Sequence, residues 1–366
     1  MIEVVVVGGG PAGLIAAREA ARAGAEVMVF EEHAEIGEPE RCAGLISLSG
    51  LERLMLPANG VYLQNVVRGA AIKSSTGFWG VLDAGRPMAA VVSRRLFDAE
   101  IARQAERAGA EIIRGARVRN VERDGECFRI ITSEGVYRAC WVVDAEGAGA
   151  ALMRRFLGAG AESRRWIPII QLIVEDHGLD PRFAYIYLKD YLPDFFAYLI
   201  PVNDHLGKLG IASRIPGLRK LLDRFLREEF PSARRLNSSS HVIYTGYPID
   251  STRLFPTRFI PVGDAAGHVK ATTGGGVVMG GLIAAKIASA IAMSLRGESP
   301  EKSLAEAAWI IGELKRIALL RRLIGRISSP LLDLLVILAT SRIGCFYFSR
   351  MGDMDFQASS IFGVRR

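Results

Sequence analysis

The feature that most constrains this chain is a glycine cluster set between a buried strand and an alanine-rich helix. Residues 4–7 are four consecutive valines, and Gly8-Gly9-Gly10-Pro11-Ala12-Gly13 follows at once. An apolar helix over residues 14–23 comes next, with Gly24 as its stop signal. A second strand over residues 26–30 ends in Glu31. In this pattern Gly8 permits the tight turn and Gly10 lets backbone approach a pyrophosphate. Gly13 lets helix and strand pack closely, and the helix N-terminus faces the anion. Glu31 stands where a carboxylate can accept from ribose hydroxyls. A glycine turn in this context, with its acid in register, predicts a dinucleotide-binding βαβ unit.

The 366 residues suffice for one large domain or two joined ones. Against 39 acidic residues stand 46 basic ones, a net charge of +7. That excess suits an anionic cofactor, an anionic membrane surface or an acidic partner protein, or serves solubility alone. The four cysteines, Cys42, Cys127, Cys140 and Cys345, form no CxxC pair, so zinc and iron–sulfur centres are not expected. The opening residues are too short and acidic for a secretory signal. The most membrane-like run, residues 277–295, is interrupted by Lys286 and reads as a buried helix.

Past the βαβ unit, residues 61–93 alternate in a strand-like way and residues 95–108 read as a helix. Strands are expected over 111–114, 117–123, 128–132, 136–139 and 141–143. Residues 165–255 are aromatic-rich and alternating, which predicts an antiparallel lobe interrupted by one helix over 218–230. The last hundred residues read as helical. If Ser133 and Glu134 are the two central turn residues, Cys127 lies opposite Cys140 and a cross-strand disulfide is geometrically conceivable; a three-residue turn would offset them.

Two further elements identify the dinucleotide. Val262-Gly263-Asp264-Ala265-Ala266 resembles the second signature of glutathione-reductase-like flavoproteins, and Val143-Asp144-Ala145-Glu146-Gly147 resembles their strand-to-acidic-turn landmark. Their order implies FAD rather than NAD. More narrowly, Glu35-Ile36-Gly37-Glu38-Pro39-Glu40-Arg41-Cys42-Ala43-Gly44 resembles the "EIG-x-P-x-RC" stretch of geranylgeranyl reductases. Ser93-Arg94-Arg95-Leu96-Phe97-Asp98 is similar to that family's "R-x-x-F-D" element, and Phe196-Ala197-Tyr198-Leu199-Ile200-Pro201 to its "Y-x-W-x-F-P" pocket motif. The segment Gly263 to Lys270, followed by Thr272-Thr273-Gly274-Gly275-Gly276, is similar to its Gly-Asp region. The likeness runs over residues 1 to roughly 300. It departs where the family has Tyr, Trp and Phe and this chain has Phe196, Tyr198 and Ile200.

The resemblance implies an α/β fold: a Rossmann-like FAD-binding domain, an inserted antiparallel substrate domain and a C-terminal helical region. The boundaries expected are 1–160 with 256–300, then 161–255, then 301–366. It implies FAD contacts at Gly8, Gly10, Ala12, Gly13, Glu31, Arg41, Cys42, Ala43, Gly44, Arg94, Val118, Asp264, Gly276 and Val277. Substrate contacts are implied at Phe195, Phe196, Tyr198 and Pro201. Cys42 is a weak candidate proton donor, with packing as its other reading; His268 reads as structural. The implied activity is reduction of carbon–carbon double bonds in geranylgeranyl lipids, in membrane lipid biosynthesis. A flavin monooxygenase or halogenase of the same fold is the alternative, and a non-catalytic flavin or prenyl carrier a further one. The partners expected are an isoprenoid lipid, NAD(P)H or ferredoxin as electron donor, and a membrane surface, but no nucleic acid and no metal. The expected location is the cytoplasm, with peripheral attachment to the inner face of the membrane. That attachment would run through a basic amphipathic helix with Lys315, Arg322 and Arg326 on one face and Ile317, Leu320, Ile324 and Ile327 on the other; its other reading is that the apolar face packs on the FAD domain and the basic face is solvated.

Overall fold

The glycine turn sits where the sequence puts it, between strand Ile2–Val7 and helix Pro11–Arg22, with strand Val27–Glu31 closing the unit. In this computed structural model residues 1–158 and 165–362 are described. They divide into two compact units.

The first unit comprises Met1–Pro39, Arg95–Arg165 and Tyr244–Ala318. Its sheet runs Glu111–Arg114, Val27–Glu31, Ile2–Val7, Val136–Asp144, with Phe259–Pro261 beyond, all parallel. Val4, Val5 and Val6 are wholly buried, as a strand covered on both faces requires. The N-terminal half of Val136–Asp144 does a second job: it pairs antiparallel with Cys127–Thr132, which pairs with Val118–Asp124. The two short strands expected over 136–139 and 141–143 are therefore one, because the same backbone serves a hairpin at one end and the parallel sheet at the other. Phe128 pairs with Ala139, which sets Cys127 opposite Cys140. Their sulfurs are 3.9 Å apart and both thiols are free. Helix Val277–Leu295 is long and apolar enough to cross a membrane, but it packs along Pro11–Arg22 with eleven residues buried.

The second unit comprises Glu40–Arg94, Trp166–Ile243 and Leu319–Arg366. Its large sheet runs Arg234–Tyr244, Trp166–Glu175, Leu206–Ala212, Ala197–Pro201, Phe183–Tyr187, Gly69–Lys73, Trp79–Asp83. The pairings from Trp166–Glu175 through Phe183–Tyr187 are antiparallel, as the alternating aromatic pattern predicts. Helix Leu218–Glu229 packs on this sheet through Leu222, Phe225 and Leu226. A three-stranded sheet, Leu45–Ser47, Ala89–Val92 and Leu63–Val67, completes the unit.

This division differs from the expected boundaries. Residues 40–94, read as part of the cofactor half, cluster with the antiparallel sheet, because Gly69–Lys73 pairs with Phe183–Tyr187 over more than a hundred residues. Residues 244–255, read as substrate lobe, cluster with the first unit, and the residues from Leu319 onward join the second rather than forming a region of their own. The boundary expected near residue 160 lies outside the described residues, as do the last four residues of the helical region.

Candidate active site

In the first unit the glycines divide by what their surroundings demand. A Cβ on Gly13 would lie 2.1 Å from the Gly8 carbonyl oxygen, and one on Gly8, at φ +102°, 2.3 Å from the Ala145 oxygen. These two are needed for backbone to meet backbone. A Cβ on Gly10 would meet nothing within 4 Å. Gly10 is the N-cap of Pro11–Arg22, with Pro11 in the first turn and no side chain capping the helix. The first-turn N–H groups, Ala12 and Gly13 among them, have no intrahelical acceptor. The result is an open, N–H-lined hollow at a helix N-terminus, the shape and polarity that a pyrophosphate fits.

The Gly-Asp segment closes one side of this hollow. A Cβ on Gly263 would lie 2.8 Å from the Ala12 Cβ, so the segment rests on the first turn of the helix. Asp264 is exposed although both of its flanking residues, Gly263 and Ala265, are buried. A Cβ on Gly276 would come within 3.0 Å of Asp264 Oδ1. Gly276 is the N-cap of Val277–Leu295, again without a side-chain cap. Gly8, Gly10, Ala12, Gly13, Asp264, Gly276 and Val277 are thus gathered around two helix N-termini, and they fit FAD.

Glu31 does more than the sequence reading assigned to it. One carboxylate oxygen accepts from the Gly9 N–H at 2.6 Å. The other accepts from the His33 N–H at 2.9 Å and lies 2.5 Å from His33 Nδ1. It therefore fixes the glycine turn itself. Val118, at the start of its strand, lies two residues beyond Ala116, whose N–H bonds the Glu31 carbonyl at 2.8 Å.

In the second unit Arg41 is exposed, Cys42 and Ala43 half-buried and Gly44 buried. The Gly44 N–H points at Cys42 Sγ, 3.4 Å away. Gly44, at φ +71°, has the Val92 carbonyl where its Cβ would stand, at 2.2 Å. Sequence reasoning missed what lies beneath this loop. Lys208 is almost fully buried; its Nζ donates to Glu40 Oε1 at 2.7 Å and to the Val92 carbonyl at 2.9 Å. A lone lysine inside the apolar strand Leu206–Ala212 was the available signal. His241 was missed as well. It lies in the field of Arg41 and Arg94, and its Nδ1 is buried without a partner.

Of the four aromatic-motif residues, Tyr198 is the most distinctive. Its hydroxyl donates to Gln171 Oε1 at 2.9 Å, and burial, with Cys42 nearby, pushes it well above the usual phenol range. Phe195 and Phe196 stack at 4.3 Å, and Phe196 meets Tyr198 edge-on at 6.4 Å. Phe195 is buried against Ile167, Ile169 and Ala212, with the Arg321 guanidinium over its ring at 5.1 Å. It is therefore a wall behind Phe196 rather than an open face. Pro201 ends the strand, buried, and its carbonyl accepts from Asn65 Nδ2 at 2.9 Å.

Three buried titratable groups give an acid-stability prediction. Burial pushes His268 down to about 4, opposed by its bond to the Ile249 carbonyl. Burial, then Arg41 and Arg94, push His241 down to about 4. Each histidine binds a proton in the unfolded chain before it does in the folded one, so each loses stability as pH falls from 6.5 toward 4. Full loss is on the order of 3 kcal/mol per histidine. Asp144 works in the opposite sense. Burial and the neighbouring Glu146 raise it well above the usual carboxylate range, so it costs stability as pH rises past the unfolded value. Urea unfolding should show stability falling from pH 6.5 to pH 4.5. Asp144→Asn should raise the neutral-pH midpoint and steepen that fall, and an unchanged profile would contradict the assignment.

Two family models described as FAD dependent oxidoreductase match residues 3–164 and 84–290. The digeranylgeranylglycerophospholipid reductase of Methanothrix thermoacetophila is 30% identical over 312 residues, covering 78% of this chain and 77% of the relative. That of Methanoculleus marisnigri is 30% identical over 309 residues, covering 78% and 76%. Among solved structures, a geranylgeranyl bacteriochlorophyll reductase-like protein from Thermoplasma acidophilum superposes with TM-score 0.83 at 24% identity, covering 93% of this chain and 91% of that one. The flavin-dependent brominase Bmp2 shares the fold at TM-score 0.75 and 19% identity, covering 99% and 97%. The chain is an FAD-dependent oxidoreductase and belongs to the digeranylgeranylglycerophospholipid reductase family.

Proposed function

We propose that this enzyme hydrogenates the carbon–carbon double bonds of geranylgeranyl chains in membrane lipid biosynthesis, drawing electrons from NAD(P)H or a ferredoxin. The observation that carries this reading is the 30% identity, over about three quarters of both chains, to relatives named for that reaction. FAD, when bound, supplies the electron pair that an isolated alkene needs. Each unit contributes residues of its own. Gly10, Ala12 and Gly13 present N–H groups to the pyrophosphate, and Asp264 offers a carboxylate to the hydroxyls beside it. Phe196 and Tyr198 give an apolar wall against which a prenyl chain can lie without water. Tyr198 keeps its proton at every working pH and spends it on Gln171, so it orients rather than titrates.

The test is anaerobic. Photoreduced enzyme mixed with a digeranylgeranyl glycerophospholipid should reoxidise while mass spectrometry shows two hydrogens added per double bond. Flavin that stays reduced, with lipid masses unchanged, would overturn the reading.

A further inference from the structure

Helix Ser329–Thr340 is built inside out. Leu331, Leu334, Leu335 and Leu338 recur at i, i+3, i+4 and i+7, the stripe a surface helix ordinarily turns to the core. Here all four are exposed, from 41% to 56%, while Asp333 and Val336 are buried. The inward carboxylate accepts from Thr76 Oγ1 at 2.6 Å. The next helix, Arg342–Met351, repeats the arrangement with Ile343, Phe346 and Tyr347, and Ile343 is 83% exposed. Among the described residues, eleven of 22 exposed large apolar side chains lie within residues 319–361. Leaving so much apolar surface in water is unfavourable, and a patch of this kind marks a contact.

Charge identifies the contact. Within residues 319–351 the only carboxylate is Asp333, which faces inward. In the same stretch of chain Arg322, Arg326, Arg342 and Arg350 are exposed, and Arg350 lies 4.4 Å over the Phe346 ring. Arg86 stands beside the second helix, donating to the Ser349 carbonyl at 3.3 Å. A partner protein would need an apolar centre ringed only by acids; an anionic lipid surface offers both at once. The two helices meet at a 69° bend. Together the two helices are long and apolar enough to span, but the bend keeps them from forming one straight span, and a single helix of twelve residues is roughly 18 Å long against a ~30 Å hydrocarbon core, so the pair suits lying in the interface.

We propose that the helix pair Ser329–Thr340 and Arg342–Met351 is a monotopic anchor that inserts its leucine face into the headgroup boundary of an anionic lipid membrane. The surface differs from the one the sequence suggested: on helix Glu301–Ile324 Ile317 is fully buried and Lys315 bonds Asp250 at 3.0 Å. The anchor rests on the lipid-substrate reading for its purpose only. Vesicle binding needs no turnover, so either reading can fail without the other.

FAD-loaded enzyme should float with phosphatidylcholine vesicles holding about a third phosphatidylglycerol, and far less with phosphatidylcholine alone. Leu334→Glu with Leu338→Glu should lower the bound fraction about tenfold or more. Arg322→Glu with Arg326→Glu should reduce binding to the phosphatidylcholine level, and both variants should retain their flavin. Wild-type enzyme that stays at the bottom of the gradient, or a leucine variant that floats as well, overturns the proposal. So does a dimer that the leucine variant dissolves without any vesicle binding, since a second copy would then cover the face.

Discussion

Gly10→Ala should leave the chain folded but strip it of flavin, whereas Gly13→Ala should fail to fold stably. The contrast follows from what each new methyl group would meet. At Gly10 it points into open space, so the apoprotein has nothing to rearrange. It would occupy the hollow where a pyrophosphate lies against the helix N-terminus, and a ligand held by backbone N–H groups cannot move away without losing them. At Gly13 the methyl would stand 2.1 Å from the Gly8 oxygen and 3.1 Å from the Ala145 Cβ. Those are a backbone atom of the glycine turn and the first side-chain atom of the residue after strand Val136–Asp144, neither of which can swing aside, and overpacking of that severity costs about 3 kcal/mol or more. Flavin content of the purified protein and the thermal midpoint of the apoprotein separate the two. Equal loss of stability in both variants would mean that Gly10 is held by packing as well.

Local patterns were legible and distant pairings were not. The βαβ opening could be read almost residue by residue, because four valines, a glycine turn and an alanine helix each specify one local conformation. The register that sets Cys127 against Cys140 followed from a four-residue turn. The parallel pairing of Gly69–Lys73 with Phe183–Tyr187 carries no local mark, which is why the sequence reading did not group residues 40–94 with the antiparallel sheet they pair with. Helix Ser329–Thr340 falls in the stretch that reads as helical, but which face it buries depends on Thr76, over 250 residues away. At the site, the glycines and Asp264 announce themselves by motif. Lys208 and His241 do not, since their chemistry arises from residues more than a hundred positions away in the chain.

Lys208→Ala should be among the most destabilising single changes in the second unit, and it should loosen the loop that carries Cys42. Lys208 sits 3% exposed in a strand whose other residues are apolar, bonded to Glu40 and to the Val92 carbonyl. Val92 in turn donates to the Gly44 carbonyl at 2.9 Å, and Ser93 Oγ lies 3.3 Å from Glu40 Oε2. The ammonium therefore ties Glu40 to the end of strand Ala89–Val92, whose Val92 N–H holds Gly44 at the other end of the same stretch. Removing it leaves a carboxylate and a carbonyl that lose their shared donor; breaking a buried pair in this way costs about 3–5 kcal/mol, the lower end applying because Glu40 is partly exposed. Lys208→Met with Glu40→Gln removes both charges and keeps the volume, so it should recover most of that loss, with a coupling of about 1–3 kcal/mol across the cycle. In a background where Cys42 is the sole cysteine, Lys208→Ala should also speed thiol modification at a pH where the enzyme stays folded. If the alanine variant melts like wild type and Cys42 reacts no faster, the loop is held by Gly44 and Val92 alone.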